Sequence, residues 1–229
     1  MNGSVVSPEL RARVRGFAVP IALALGRLGL TPNALTVIGF GIAVVAALAA
    51  ANHAWTGAAL LVIFGGVFDL FDGALARATN AVSRVGAFLD SVFDRAGEAV
   101  LFIGIGVACT TAGFQPGAIL AAAAMAASFM VSYTRAKSES LGFTPGTGMA
   151  NVGVAPREVR LVIVTLGLLV TGAMGGIVRP VTVVGSVSEW WAGRPALAAT
   201  LGLVAVLATI TTLQRIVHVI RQPSIEEHQ

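Results

Sequence analysis

The sequence predicts an all-α polytopic membrane protein with six transmembrane helices and an N-terminal interfacial amphipathic helix. Three observations carry that prediction. Of the 229 residues, 56% are hydrophobic and only 11% are charged, and the mean hydropathy of +0.85 is too high for an ordinary water-soluble domain. Six apolar stretches, at about 34–51, 55–71, 85–112, 116–132, 159–176 and 195–217, each approach the roughly 20 residues a helix needs to cross hydrocarbon. The basic residues, finally, gather in alternate connections between those stretches.

Residues 7–30 read as the interfacial helix. Arg11, Arg15 and Arg27 mark its polar side, while Phe17, Ile21, Leu25 and Leu28 recur at helical spacing, as in a helix lying in the membrane plane. Pro20 and the turn "GLTPN" are expected to break it before the first span. The opening "SPELRARVRGFAVP" is too charged for a cleaved signal peptide. Arg11, Arg13, Arg15 and Arg27 precede span one, Arg77 and Arg84 lie between spans two and three, and Arg135, Lys137, Arg157 and Arg160 lie between four and five. Arg215 and Arg221 end the last span, whereas the alternate loops hold only Arg179 and Arg194. An excess of basic residues stays inside, so both termini are expected in the cytoplasm. The Gly- and Pro-rich segment "SLGFTPGTGMANVGVAP" reads as a cytoplasmic loop and residues 222–229 as a polar tail. The chain 1–229 reads as one domain, with no internal repeat of the kind that builds transporters from inverted halves. Cys109 is the single cysteine; it excludes a disulfide framework and a thiolate cluster, and fits a core thiol. Fourteen arginines and one lysine raise the pI, but they are divided among helix ends, which argues for anionic lipid and against nucleic acid.

Charge inside this apolar chain concentrates between Phe68 and Asp94. On the second span, Asp69, Asp72, Gly73, Ala76 and Arg77 fall at i, i+3, i+4, i+7 and i+8, a single helical stripe. Gly86, Asp90 and Asp94 form a second stripe at the start of span three, with Gly97 and Glu98 a turn further. A short connection makes the two helices antiparallel neighbours, so Asp69, Asp72, Asp90 and Asp94 are expected to converge on one pocket. An uncompensated carboxylate at membrane depth costs at least ~2.5 kcal/mol, so a positive charge belongs among them. Donors that are all oxygen select a hard divalent cation, Mg²⁺ or Mn²⁺, over zinc. Four carboxylates suffice for two such ions, the arrangement that clamps an in-line displacement at phosphorus. Gly73, Ala76 and Gly86 leave bare backbone for a bulky or phosphate-bearing group, and Arg77 is placed for a phosphate oxygen.

The spacing Asp69-x2-Asp72-Gly73-x2-Ala76-Arg77-x8-Gly86-x3-Asp90-x3-Asp94 resembles, at every fixed position, the signature of the CDP-alcohol phosphatidyltransferase family. The resemblance implies transfer of a phosphatidyl group from CDP-diacylglycerol, or a related CDP-alcohol, to the hydroxyl of a second alcohol with release of CMP. It further implies that Asp69, Asp72, Asp90 and Asp94 hold the metal ions and that Asp94 is also the general base. Gly73, Arg77 and Ser83 would meet the cytidine diphosphate. Asn33 and Thr36, in "TPNALT", would border the nucleotide. The family commonly forms homodimers through its membrane helices, and Gly167, Gly172 and Gly176 would permit close helix approach.

The acceptor is read from the remaining cytoplasmic basic residues. Arg135, Lys137, Arg157, Arg160 and Arg215 come from the ends of three spans, and several such donors hold a phosphate best. A phosphorylated alcohol is therefore expected. "SYTRAK", "PREVRL" and Gln214-Arg215 resemble segments of the actinobacterial phosphatidylinositol-phosphate synthases, which implies inositol 1-phosphate. Glycerol 3-phosphate, the acceptor of a phosphatidylglycerophosphate synthase, is the alternative within the family. A divalent-cation transporter is the alternative outside it, since intramembrane carboxylates also mark ion paths.

Overall fold

The computed structural model describes residues 8–143, 149, 152–178 and 193–222, with side chains described from residue 16 onward. Among these residues the chain forms seven helices and no strand: α1 (Pro8–Arg27), α2 (Pro32–Ala51), α3 (Trp55–Ala78), α4 (Arg84–Thr111), α5 (Gln115–Ser140), α6 (Arg157–Ala173) and α7 (Gly193–Ile220). The tail beyond 222, Arg179, the side chains of Arg11, Arg13 and Arg15, and most of the loop after Phe143 lie outside the described residues.

Local chemistry sets the boundaries near the acidic stripes. Thr31 caps α2, its Oγ1 accepting from the Ala34 N–H at 3.2 Å, and Pro32 occupies the first turn, where its missing N–H costs nothing. Ser83 caps α4 by accepting from the Gly86 N–H at 2.9 Å. Between α3 and α4, Asn80 takes a left-handed conformation, φ 53°, which Asn tolerates. The expected side-by-side packing of α3 and α4 is not what forms: both pack on α2, which brings their facing ends together. α3 continues to Ala78, past the expected end near Phe71, so its whole stripe lies on one uninterrupted helix. α5 likewise runs to Ser140 and carries Arg135 and Lys137 within it.

Pro20 does not break α1, contrary to the expectation; it lies inside the helix. One missing N–H removes one hydrogen bond, and the packing of Ala18 and Ala22 against Leu35, Ala74 and Leu75 holds the segment. The chain turns only at Gly29, φ 88°, which suits glycine. The buried side of α1 is made of alanines, while Phe17 and Leu28 are 77% and 80% exposed.

Four helices, α2, α3, α5 and α7, are long and apolar enough to cross a membrane. The six-span expectation is met in part, for physical reasons. α4 has the length but carries Asp90, Asp94, Arg95 and Glu98 within it, and α6 has only 17 residues with a charged first turn.

The helices pack as a bundle in which α2 lies against α3 and α4, α5 against α4 and α7, and α6 against α3 and α7, with α1 on α3. Its core joins Ala46, Ala50 and Trp55 to Leu101, Phe102, Ile105, Leu168, Leu201 and Val204, and includes the free, buried Cys109. Small residues set the spacing. A Cβ added at Gly104 would collide with the backbone carbonyl of Ala47, so α2 and α4 touch backbone to backbone. Gly104→Val is therefore expected to cost about 1–3 kcal/mol and to lower the melting temperature in detergent, which differential scanning fluorimetry checks.

Candidate active site

The two acidic stripes face each other at the end of α3 and the start of α4. Asp72 is buried, and the Thr36 hydroxyl of α2 donates to its Oδ2 at 2.7 Å. Thr36, Asp72 and the base of α2 are thus locked together. Beside them, Gly39 leaves bare backbone against Asp69; a Cβ there would stand 3.2 Å from Asp69 Oδ1. Asp69 is within electrostatic reach of Asp72, Asp90 and Asp94.

The positive charge among these carboxylates comes from α6. Arg157 reaches Asp94 Oδ1 with Nη1 at 2.9 Å and Asp69 Oδ2 with Nη2 at 3.2 Å. Arg95 adds a longer contact, 3.3 Å, to the other Asp94 oxygen while also donating to the Ser91 carbonyl. Among the described residues, no three of the carboxylate, imidazole or thiol groups close on one point. Arg157 spans the gap instead. The donor set fits a hard divalent cation all the same: every acidic ligand is an oxygen, and two of them already share a cation between α3 and α4.

Residues expected at the nucleotide fall into two local groups. The Arg77 guanidinium lies over Gly73, where a Cβ would come within 3.2 Å of Nη1. Gly86 sits under Asn33 and Ser83, with 3.2 Å and 3.1 Å from such a Cβ to Asn33 Oδ1 and Ser83 Oγ. Arg77, Asn33 and Ser83 are solvent-exposed, and Ala76 is half-buried beside them. From the carboxylates a groove extends between α2, α3, α4 and α6. Asp69, Asp94, Arg157, Thr36 and Glu98 give it polar lining, and Phe40, Ala43, Leu61, Val62 and Leu101 line much of the remainder.

The five basic residues assigned to an acceptor phosphate do not form one open pocket. Arg160 is 1% exposed and gives Nε and Nη2 to both oxygens of Glu98 at 2.8 and 2.7 Å and Nη1 to the Ala155 carbonyl. Arg215 is 4% exposed and donates to the carbonyls of Val152 and Val131. Both are folded back into the bundle, where each guanidinium satisfies groups that water cannot reach. Arg135 pairs with Glu139 on its own helix at 2.8 Å and Lys137 is exposed, so only these two and Arg157 face accessible space. Sequence reasoning missed the Glu98 partnership. Its signal was present: Glu98 follows Asp94 by four residues and Arg160 follows Arg157 by three, so one acidic and one basic helical face carry matching pairs.

Comparison with known proteins gives an independent line of evidence. The family model for CDP-alcohol phosphatidyltransferase matches residues 29–191. The archaetidylinositol phosphate synthase of Methanothermobacter thermautotrophicus is 33% identical over 220 residues, covering 96% of each chain. The phosphatidylinositol phosphate synthase of Cutibacterium acnes is 37% identical over 210 residues, covering 88% of this chain and 91% of its own. Among solved structures, the Mycobacterium tuberculosis phosphatidylinositol phosphate synthase with CDP-DAG bound superimposes with a TM-score of 0.75 at 30% identity, over 93% of this chain and 98% of that one. The same enzyme in complex with manganese and citrate gives 0.74, over 93% of both chains.

Proposed function

Because the chain belongs to the CDP-alcohol phosphatidyltransferase family, we propose that it transfers the phosphatidyl group of CDP-diacylglycerol to a hydroxyl of inositol 1-phosphate, giving phosphatidylinositol phosphate and CMP. One observation carries the reading: Asp69 and Asp94, bridged by Arg157, line a groove whose other walls are mostly apolar. Such a groove suits a donor with a charged diphosphate and acyl chains. Relatives over nearly the full length make inositol-phosphate lipids, by their names, which favours inositol 1-phosphate over glycerol 3-phosphate. Family membership sets aside the cation-transporter alternative.

In this reading Asp94 takes the proton from the attacking hydroxyl. The hydroxyl oxygen bonds to the β-phosphorus, the bond from that phosphorus to the bridging oxygen breaks, and the electron pair leaves with CMP. Asp69, Asp72, Asp90 and Asp94 would hold Mg²⁺ or Mn²⁺, two ions by the number of carboxylates, whose bound form supplies charge stabilisation at the phosphoryl oxygens. Gly73, Ala76 and Gly86 leave room for the nucleotide, and Arg77, Asn33, Thr36 and Ser83 border it. Arg157, touching Asp69 and Asp94, is the cation nearest to both the base and an incoming phosphate; Arg135 and Lys137 supply further charge from α5.

The membrane arrangement belongs to the same proposal. α4 and α6 complete six spans: α4 is 28 residues long, and Ile103, Val107, Val162, Leu166 and Val170 turn exposed apolar side chains outward. α1 would lie at the interface, both termini and the active site would face the cytoplasm by charge distribution, and the whole chain would act as one domain, paired as a homodimer.

The reading is tested by offering the purified protein CDP-diacylglycerol with inositol 1-phosphate, free inositol, glycerol 3-phosphate or serine in turn, and identifying the lipid product by mass spectrometry. CMP release with inositol 1-phosphate, and little with free inositol, is the expected result. Preference for glycerol 3-phosphate would leave the family and replace the acceptor; preference for free inositol or serine would overturn the phosphorylated acceptor altogether.

A further inference from the structure

The most deeply buried ion pair among the described residues lies outside the acidic signature. Glu98 and Arg160 are 6% and 1% exposed and meet through two parallel hydrogen bonds of 2.8 and 2.7 Å. A buried pair of this kind is weak evidence for stability, because desolvation of both charges offsets their attraction; fixing register is its best-attested use. Its location supplies the register. α6 packs on α3 and α7, and its link to α4 runs through long side chains that form two rungs. Asp94 to Arg157 is the outer rung and Glu98 to Arg160, one helical turn inward on both helices, is the inner one.

The inner rung also fixes where α6 begins. Arg160 Nη1 donates to the Ala155 carbonyl at 3.0 Å, just ahead of Arg157, and the Ala155 N–H donates to Thr211 Oγ1 of α7 at 2.9 Å. The Pro156 cap offers no side-chain hydrogen bond of its own. Glu98 therefore holds Arg160, Arg160 holds the turn before α6, and that turn sets the height at which Arg157 leaves the helix. The same turn is held to α7 by the Val154 N–H on Gln214 Oε1 and by Arg215 Nε on the Val152 carbonyl, so among the described residues its tie to α4 runs through the two rungs alone.

We propose that Glu98 is a positioning residue for the acceptor end of the site, acting through Arg160 on Arg157. This rests on the phosphatidyl-transfer reading above. Glu98 lines the groove one turn behind Asp94, with both carboxylate oxygens committed to Arg160; its part is to set the distance between the Arg157 guanidinium and Asp94. Displacement of a positioning group by about 1 Å is enough to change turnover of a substrate strongly.

The experiment measures initial rates of the full-length protein in detergent micelles, with CDP-diacylglycerol and inositol 1-phosphate varied separately. For Glu98→Gln the acceptor KM should rise about tenfold or more, with the donor KM within about twofold of wild type. Glu98→Asp, which keeps the charge, should recover much of the loss. The double variant Glu98→Leu/Arg160→Met replaces the pair by apolar side chains of similar bulk; it should melt near the wild-type temperature and still show the raised acceptor KM. That variant decides the matter if Glu98→Gln fails to fold. A wild-type acceptor KM in the folded double variant, or equal rises in both KM values, would overturn the proposal. A wild-type protein that releases CMP with no phosphorylated alcohol would instead overturn the functional reading, and the two failures are distinct.

Discussion

Chelation of divalent cations is expected to abolish CMP release while leaving the protein folded. The four aspartates offer only hard oxygen donors, and no other charge on the chain replaces a divalent ion at a phosphoryl oxygen. Activity should fall to background in EDTA and return with Mg²⁺ or Mn²⁺. Ca²⁺, with longer bonds and more ligands, should restore it poorly. The fold should survive for a reason visible in the site. Arg157 spans Asp69 and Asp94 at 3.2 and 2.9 Å, and Thr36 donates to Asp72 at 2.7 Å, so loss of an ion exposes partnered rather than bare carboxylates. A small drop in melting temperature and a complete, reversible loss of turnover are the expected pair of results. Full turnover in metal-free buffer would remove the metal site; irreversible unfolding by EDTA would show that the ions also hold the bundle together.

What was legible in the sequence was whatever depends on one helix at a time. Period 3.6 places Asp69, Asp72, Gly73 and Arg77 on one face without reference to a neighbour, and α3 and α4 carry both stripes as expected. The caps that Thr31 and Ser83 supply to α2 and α4 are likewise local to one turn, although sequence reasoning assigns Ser83 only a nucleotide contact. Features that depend on how helices meet were less legible. An arginine at a helix end looks the same in sequence whether it faces water or folds back, yet Arg160 and Arg215 are buried on Glu98 and on backbone carbonyls. Arg157 carries the same ambiguity with the opposite outcome, since it reaches the aspartates only because α6 packs on α3. Pro20 stays inside α1 because the packing of Ala18 and Ala22 outweighs one lost hydrogen bond, a term that belongs to the neighbouring helices and not to the local sequence. The span count blurred at α4 because the same charges that build the site lower its apolarity.

Asp94→Asn is expected to reduce kcat by roughly 10²- to 10⁴-fold, about 2.7–5.5 kcal/mol of transition-state stabilisation, with much smaller effects on binding of CDP-diacylglycerol. The substitution keeps the shape of the side chain and removes its charge and its basicity. Asp94 lies on the polar wall of the groove and is held from two sides, by Arg157 at 2.9 Å and Arg95 at 3.3 Å. The amide can still accept one hydrogen bond from Arg157, so the α4–α6 contact should persist and the melting temperature should stay close to wild type. The donor's diphosphate would remain within reach of Arg77 and the other three aspartates, which is why its affinity should change little. Turnover should fall because an amide cannot take the hydroxyl proton as the new bond to phosphorus forms. Steady-state CMP release, together with equilibrium binding of the donor, separates the two effects. Near-normal kcat in a folded Asp94→Asn protein would take the general base away from this residue, and Asp90, in the same stripe one turn earlier, would be the next carboxylate to substitute. Equal losses in donor affinity and turnover would point to Asp94 as a ligand alone.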